Sequence, residues 1–271
     1  MSDGPQGLAA VQRIEGVDVL VEGEGSEAIV MVHGWPDTYR LWDAQVGHLK
    51  SRYRCVRFTL PGFDSAHPRQ AHSLDALVAF LQKVVTQTCP GQRVNLLLHD
   101  WGCLFGYQFA LRHADLVKRV IGVDIGDAGS AAHLRSMSVK AKAMVFAYQV
   151  WLAIAWRIGG RSGDRMTRWM ARTARCPSDP RHIGSQMCYP YYIAWFGAHG
   201  SYRHARPLAQ PPWPMLFIYG RRKPFHFHSA KWMDAMCAQA GNQALEFDTG
   251  HWVMSAKPQE FNAALSAWLA A

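Results

Sequence analysis

Several functional classes are excluded by what this chain lacks. Its six cysteines (Cys55, Cys89, Cys103, Cys176, Cys188 and Cys237) contain no Cys-x-x-Cys pair and no zinc-ligand spacing, which argues against a zinc module or a thioredoxin-like redox motif. Cys55 and Cys103 stand in apolar stretches and read as small core residues. The first residues, Met1 to Gly7, show no charged start followed by an apolar run, so no signal peptide is expected. With free thiols, that favours the cytoplasm. The longest apolar stretch, Ala143 to Ile158, carries Tyr148 and Gln149 and is too short for a convincing membrane span. No internal repeat or low-complexity segment is visible.

Acidic residues are also scarce. There are 20 Asp and Glu against 29 Lys and Arg, a formal charge of +9, which suits an anionic surface, a nucleic acid or an acidic ligand. The excess is concentrated: ten Lys or Arg lie between Ala131 and Arg181, with only Asp164 and Asp179 as acids. That stretch lacks the aromatic-glycine signatures of nucleic-acid modules, so no nucleic-acid partner is expected and a solvated basic face is the plainer reading. Contact of the helix Val145 to Ile158 and its Arg-rich sequel with a membrane surface is a weaker option. Oligomeric state is not readable.

What is present is material for a large core. The chain has 271 residues, 49% of them hydrophobic, with 11 Trp and 12 Phe, enough for one large α/β domain with an apolar pocket. Val11 to Glu24 suggests a hairpin. Ala28 to Val32 is a short continuous apolar run, the pattern of a strand buried on both faces. Helical spacing follows at Tyr39 to Lys50, a strand at Tyr53 to Leu60, and a helix opened by Ser73. Val94 to Leu98 is a strand, Trp101 to His113 a helix, and Leu116 to Val123 a strand. Such alternation implies a parallel sheet with helices on both faces. From Ala128 to about Pro212 it stops, and the chain reads as helical. Strand and helix then resume at Met215 to Gly220, Ala230 to Gln239, Ala244 to Phe247 and Pro258 to Leu269. The expected organisation is therefore a core of residues 1–127 and 213–271 with a helical insertion, 128–212, over the carboxyl ends of the strands, where open α/β sheets bind ligands.

Asp100 stands at the sharp passage from the strand Val94 to His99 into the helix that begins at Trp101. A turn of that kind lifts its residue above the sheet edge and aims the first helical N–H groups at whatever binds there. A serine there would attack acyl groups, whereas a carboxylate suits attack on saturated carbon. The plainer reading is a helix cap, because Asp is a preferred N-cap. Three marks at strand ends weigh against it: His33-Gly34-Trp35-Pro36, His99-Asp100-Trp101-Gly102 and Thr249-Gly250-His251-Trp252.

This set resembles the α/β-hydrolase fold, and within it the aspartate-nucleophile branch that contains epoxide hydrolases and haloalkane dehalogenases. The resemblance covers nearly the whole chain and is weakest in the insertion, which in that family forms a cap. It implies that Asp100 attacks a substrate carbon to form an alkyl ester and that His251 activates the water that hydrolyses it. The backbone N–H groups of Trp35 and Trp101 become the candidate oxyanion donors. Family members commonly carry a cis proline at the position of Pro36. No cofactor and no metal are implied, and the substrate is expected to be a small apolar molecule.

Two departures stand out. Many relatives place the acid that holds the histidine in a Gly-x-x-Asp arrangement, but here Gly220-Arg221-Arg222-Lys223 puts a lysine there. The family's second solution, an acid at the end of the strand after the nucleophile helix, points to Asp124, with Asp127 next and Asp248 third. Leu98 stands where a small residue is usual. For the reaction, cap tyrosines in epoxide hydrolases donate to the opening oxygen, and Tyr191 or Tyr192 is the first choice, with Tyr148 in reserve. A dehalogenase needs two side-chain N–H donors for halide, from Trp101 and a second such as Trp151, Trp156, Trp169 or Trp195. Epoxide hydrolysis leads, dehalogenation follows, and a non-catalytic binding protein is the alternative of another class. The run Phe225-His226-Phe227-His228 is expected beside the pocket mouth, without metal-site spacing around its histidines.

Overall fold

The computed structural model describes residues 10–209 and 211–271. The expectation drawn from Met1 to Gly7 lies outside them. In chain order the elements are β1 (Ala10–Ile14), β2 (Val17–Glu22), β3 (Glu27–Val32), α1 (Asp43–Leu49), β4 (Tyr53–Phe58), α2 (Leu74–Thr88), β5 (Val94–His99), α3 (Trp101–Arg112) and β6 (Val117–Val123). There follow α4 (Ala131–Ser136), α5 (Val139–Ile158), α6 (Gly160–Thr173), α7 (Tyr189–Phe196), β7 (Met215–Gly220), α8 (Ala230–Cys237), β8 (Gln243–Phe247), α9 (Val253–Ala256) and α10 (Pro258–Ala270).

The strands form one eight-stranded sheet in the order β1-β2-β4-β3-β5-β6-β7-β8. β2 runs antiparallel to β1 and β4, and every other pairing is parallel. The mostly parallel sheet with helices on both faces is the fold expected. Side chains alternate across each strand. Val30, Val32, Leu96 and Leu98 face a core under α2, α3 and the insertion, while Ile29, Met31, Leu97 and Ile121 face a second core under α1, α9 and α10. Strands buried on both sides need apolar residues at every position, which is why β3 and β5 read as unbroken apolar runs.

Register brings the site together. Val32 pairs with Leu98, Leu98 with Gly122, Val123 with Ile218, and Gly220 with Phe247. The loops after β3, β5, β6, β7 and β8 therefore leave the same edge side by side. Between β6 and β7 the described chain contains helices and no strand, with α5 packed between α6 and α7. No helix of the described residues is long and apolar enough to cross a membrane.

Candidate active site

Asp100 adopts φ 54°, ψ −126°, a left-handed conformation that costs a non-glycine residue of order 1–3 kcal/mol. The backbone holds it there because Cys103 N–H already donates to the Asp100 carbonyl at 2.9 Å to open α3. The carboxylate, however, makes no capping bond to that helix, so the helix-cap reading fails. Its Oδ1 instead accepts the Trp35 backbone N–H at 2.7 Å, and the adjoining Trp101 backbone helps to keep the carboxyl ionised. Gly34 permits this approach, since a Cβ there would collide with the Asp100 carboxylate and with Trp101 N. The Trp35–Pro36 peptide is cis.

Leu98, the residue that departs from the small-residue pattern, is accommodated from the other side of the turn. Its two methyl groups occupy the space a Cβ on Gly106 would need.

His251 arrives from the loop after β8. Its Nε2 lies 3.3 Å from Asp100 Oδ2, and its Nδ1 donates to Asp124 Oδ2. Of the three acids weighed for that position, Asp124 is therefore the one that reaches the imidazole. Asp127 accepts from Ser229 N–H and from the hydroxyls of Ser130 and Ser229, and Asp248 lies on the surface paired with Arg221 and Arg222. The second oxygen of Asp124 accepts Gly220 N–H at 3.2 Å and the Lys223 ammonium. Lys223, standing where relatives carry the acid, thus delivers the opposite charge to the acid that replaces it. Both partners of this ion pair are buried, with side chains 7% and 0% exposed.

Charge follows from these contacts. Burial opposes ionisation of Asp124, but Lys223 and His251 outweigh it and hold the carboxyl far below the usual carboxylate range. Burial likewise disfavours the His251 cation, yet Asp124 and Asp100 overcome it and raise its pKa to about 9. Asp100 is held below its ordinary value, its burial outweighed chiefly by the bond to His251. Behind the imidazole, burial pushes His99 down to about 3, so its ring is neutral, 4.5 Å from that of His251. Asp37 is buried beside it, 3.8 Å from His99 Nδ1, and accepts from Trp252 Nε1 at 2.9 Å and from Ser178. Sequence reasoning missed Asp37; the signal was a charged residue directly after His33-Gly34-Trp35-Pro36.

In front of Asp100 lies a cavity of about 990 Å³, lined among others by Trp101, Ile125, Tyr148, Tyr191 and Phe227. Tyr148 comes from α5 and Tyr191 from α7, their rings edge to face at 6.1 Å. Tyr191 also stands edge-on to Trp101 at 5.1 Å. Burial raises both phenols, so each keeps its proton. Tyr192, the paired first choice, is not brought to the site: one residue further round α7, it stacks on Phe196 and does not line the cavity. Of the tryptophans considered for halide, only Trp101 lines it. Trp151, Trp169 and Trp195 lie on the outer surface, and Trp156 packs on Arg69 and Tyr189. Phe227, from the Phe-His-Phe-His run, sits 6.0 Å from the His251 ring.

A segment of 104 residues, 36% of this chain, is 32% identical to the Mycobacterium tuberculosis protein named "Probable oxidoreductase EphD", of which it covers 18%. Over 98 residues, 35% of the chain, identity to epoxide hydrolase 2 of Caenorhabditis elegans is 26%, covering 27% of that protein. The chain therefore matches under a third of the length of these curated relatives. The Bacillus megaterium epoxide hydrolase in complex with an inhibitor is similar in structure, with a TM-score of 0.71 over 97% of this chain and 100% of that one, at 18% identity. A model described as the alpha/beta hydrolase family matches residues 29–264, and the chain belongs to that family.

Proposed function

We propose that the chain is an epoxide hydrolase of the aspartate-nucleophile branch, opening a largely apolar epoxide to a vicinal diol. The observation that carries this reading is the division of labour between the two oxygens of Asp100. Oδ1 is held by the Trp35 N–H, while Oδ2 faces His251 at the floor of a cavity that also presents two protonated phenols. Oδ2 attacks a ring carbon, the carbon–oxygen bond opens, and the departing alkoxide takes a proton from Tyr148 or Tyr191. The ester leaves Oδ1 as its carbonyl oxygen, already lying against the donors that stabilise it when it becomes the oxyanion.

Alkylation also changes His251. Of the two carboxylates that raise its pKa, Asp100 has lost its charge, so the imidazolium gives up its proton more readily, returning it to the tyrosinate left by ring opening, and then serves as general base toward water. Water gives a proton to His251 and adds to the ester carbonyl carbon. The bond from that carbon to Oδ2 breaks as the proton passes to the departing oxygen. The carboxyl proton left behind returns to His251, so the diol departs with carboxylate and imidazolium restored. Asp124 keeps the Nδ1–H tautomer and balances the imidazolium that forms. In this reading residues 128–212 act as a cap, supplying both phenols. Dehalogenation has less support, because Trp101 is the one indole among those considered that faces the cavity.

His251→Ala tests the proposal. Incubated with a panel of aromatic and alkyl epoxides and of haloalkanes, it is expected to accumulate with an epoxide an intact-mass adduct on Asp100 equal to the whole substrate, whereas Asp100→Asn forms none. An adduct lacking halide, formed only with haloalkanes, would move the assignment to dehalogenation. Binding without any adduct would leave a non-catalytic pocket.

A further inference from the structure

We propose that the outer face of the helical insertion is a docking surface for an anionic phospholipid bilayer. Among the described residues, ten of the eleven large apolar side chains exposed to solvent lie between Leu134 and Phe196. Apolar residues scattered singly need no explanation, but a concentration on one face does. Here helical spacing makes it one surface. Val139, Ala143, Ala147 and Ile154 recur down the outward side of α5, with Val139 84% exposed. Phe146 leans to the α7 edge and meets Trp195 at 5.0 Å, and Trp151 leans to the α6 edge and meets Trp169, also at 5.0 Å.

The charge around that surface selects its partner. Arg165 and Arg172 flank the half-exposed Trp169 one turn away on either side of α6, and Lys140, Lys142 and Arg157 border the apolar strip of α5. None of these five forms an ion pair among the described residues. The two acids of the region are already engaged, Asp164 by Ser185 and Asp179 by Arg181. Indole and aliphatic groups ringed by unneutralised Lys and Arg suit the boundary between acyl chains and anionic headgroups, with the helices lying in the interface plane.

The opposite side of α5 carries Tyr148 and Gln149 to the cavity, and Gln149 Oε1 accepts the Trp195 indole N–H at 2.9 Å. The outer surface and the cavity are therefore joined through one side chain. A shallow hollow lined by Trp195 and Phe196 also shares Tyr202 with the cavity. A bilayer-dissolved apolar molecule would reach the site from that side. The docking itself does not depend on the reaction proposed above.

The test is co-sedimentation of the full chain with vesicles of phosphatidylcholine alone and of phosphatidylcholine mixed with phosphatidylglycerol. Binding is expected only to the mixed vesicles and should be lost at high salt. Arg165→Gln with Arg172→Gln is expected to weaken it about 30-fold. Val139→Asp with Ile154→Asp should abolish it while leaving the far-ultraviolet circular dichroism and thermal midpoint of the free protein unchanged. Equal binding to both vesicles, no binding, or binding indifferent to Val139→Asp with Ile154→Asp would overturn the proposal. So would sedimentation equilibrium showing a dimer that these aspartates dissociate, since the surface would then belong to a second copy of the chain.

Discussion

At the residue scale, the most informative side chain is one whose charge is opposite to that expected at its position. Lys223 shares Asp124 with His251, so part of the carboxylate's pull is spent on an ammonium rather than on the imidazole. Removing that cation in Lys223→Met should leave Asp124 to act on His251 alone and raise the histidine's pKa. On the proposed mechanism the base must be neutral to activate water, so the acid limb of ester hydrolysis is expected to move up by about one pH unit in single-turnover profiles. An unmoved limb would show that Lys223 only fills space. Asp124→Asn should slow the same step by about ten-thousandfold, the scale on which a misheld tautomer acts in serine-protease triads, with adduct formation preserved. The sequence made Asp100 and His251 legible because each follows a strand end with a glycine within two residues. It made Asp124 legible only as one of three, because side-chain reach across a sheet edge is not a property of spacing. Asp37 was marked only by following His33-Gly34-Trp35-Pro36, a faint signal, since an acid in a turn looks the same whether buried or solvated.

Elements were easier to read than faces. The strands and long helices of the core follow their apolar periods closely, and the four-residue α9 escaped because one turn has no period. Tyr191 and Tyr192 were indistinguishable for a related reason: α7 reads Tyr-Pro-Tyr-Tyr-Ile-Ala-Trp-Phe, apolar all round, so nothing in it marks the side that faces the cavity. Leu98 shows the reverse case, where an apparent conflict within β5 is resolved by α3. Gly106→Ala should destabilise the protein by about 1–3 kcal/mol, since Leu98 fills the space its methyl would need. In a double-mutant cycle with Leu98→Ala the two changes should compensate, the second methyl entering the volume vacated by the first. Strict additivity in chemical denaturation would count against that coupling.

For the whole molecule, the buried imidazole of His251 links folding to pH. Its folded pKa, about 9, lies above the ordinary value of about 6.5. The stability it contributes is therefore complete below about pH 6.5 and is lost as pH rises through about 9. The thermal midpoint should fall across that window, and His251→Gln should flatten the fall; an equal decline in that variant would place its origin elsewhere. On the acid side, Asp124 works in the opposite sense, its contribution being present above about pH 3.9 and lost on further acidification. The position of Asp124 at the end of β6 also bears on how the site is assembled. Asp100 and Asp124 both belong to one strand–helix–strand unit, β5-α3-β6, whose contacts are local and form without the insertion, whereas His251 lies 127 residues downstream of Asp124. Two carboxylates are thus set by short-range folding, and a single side chain must cross the long loop-closure distance to complete the group. The segment between β6 and β7 is then free to lengthen, shorten or be exchanged without moving either acid, so the pocket can be remodelled in evolution while the spacing of its charged floor stays fixed.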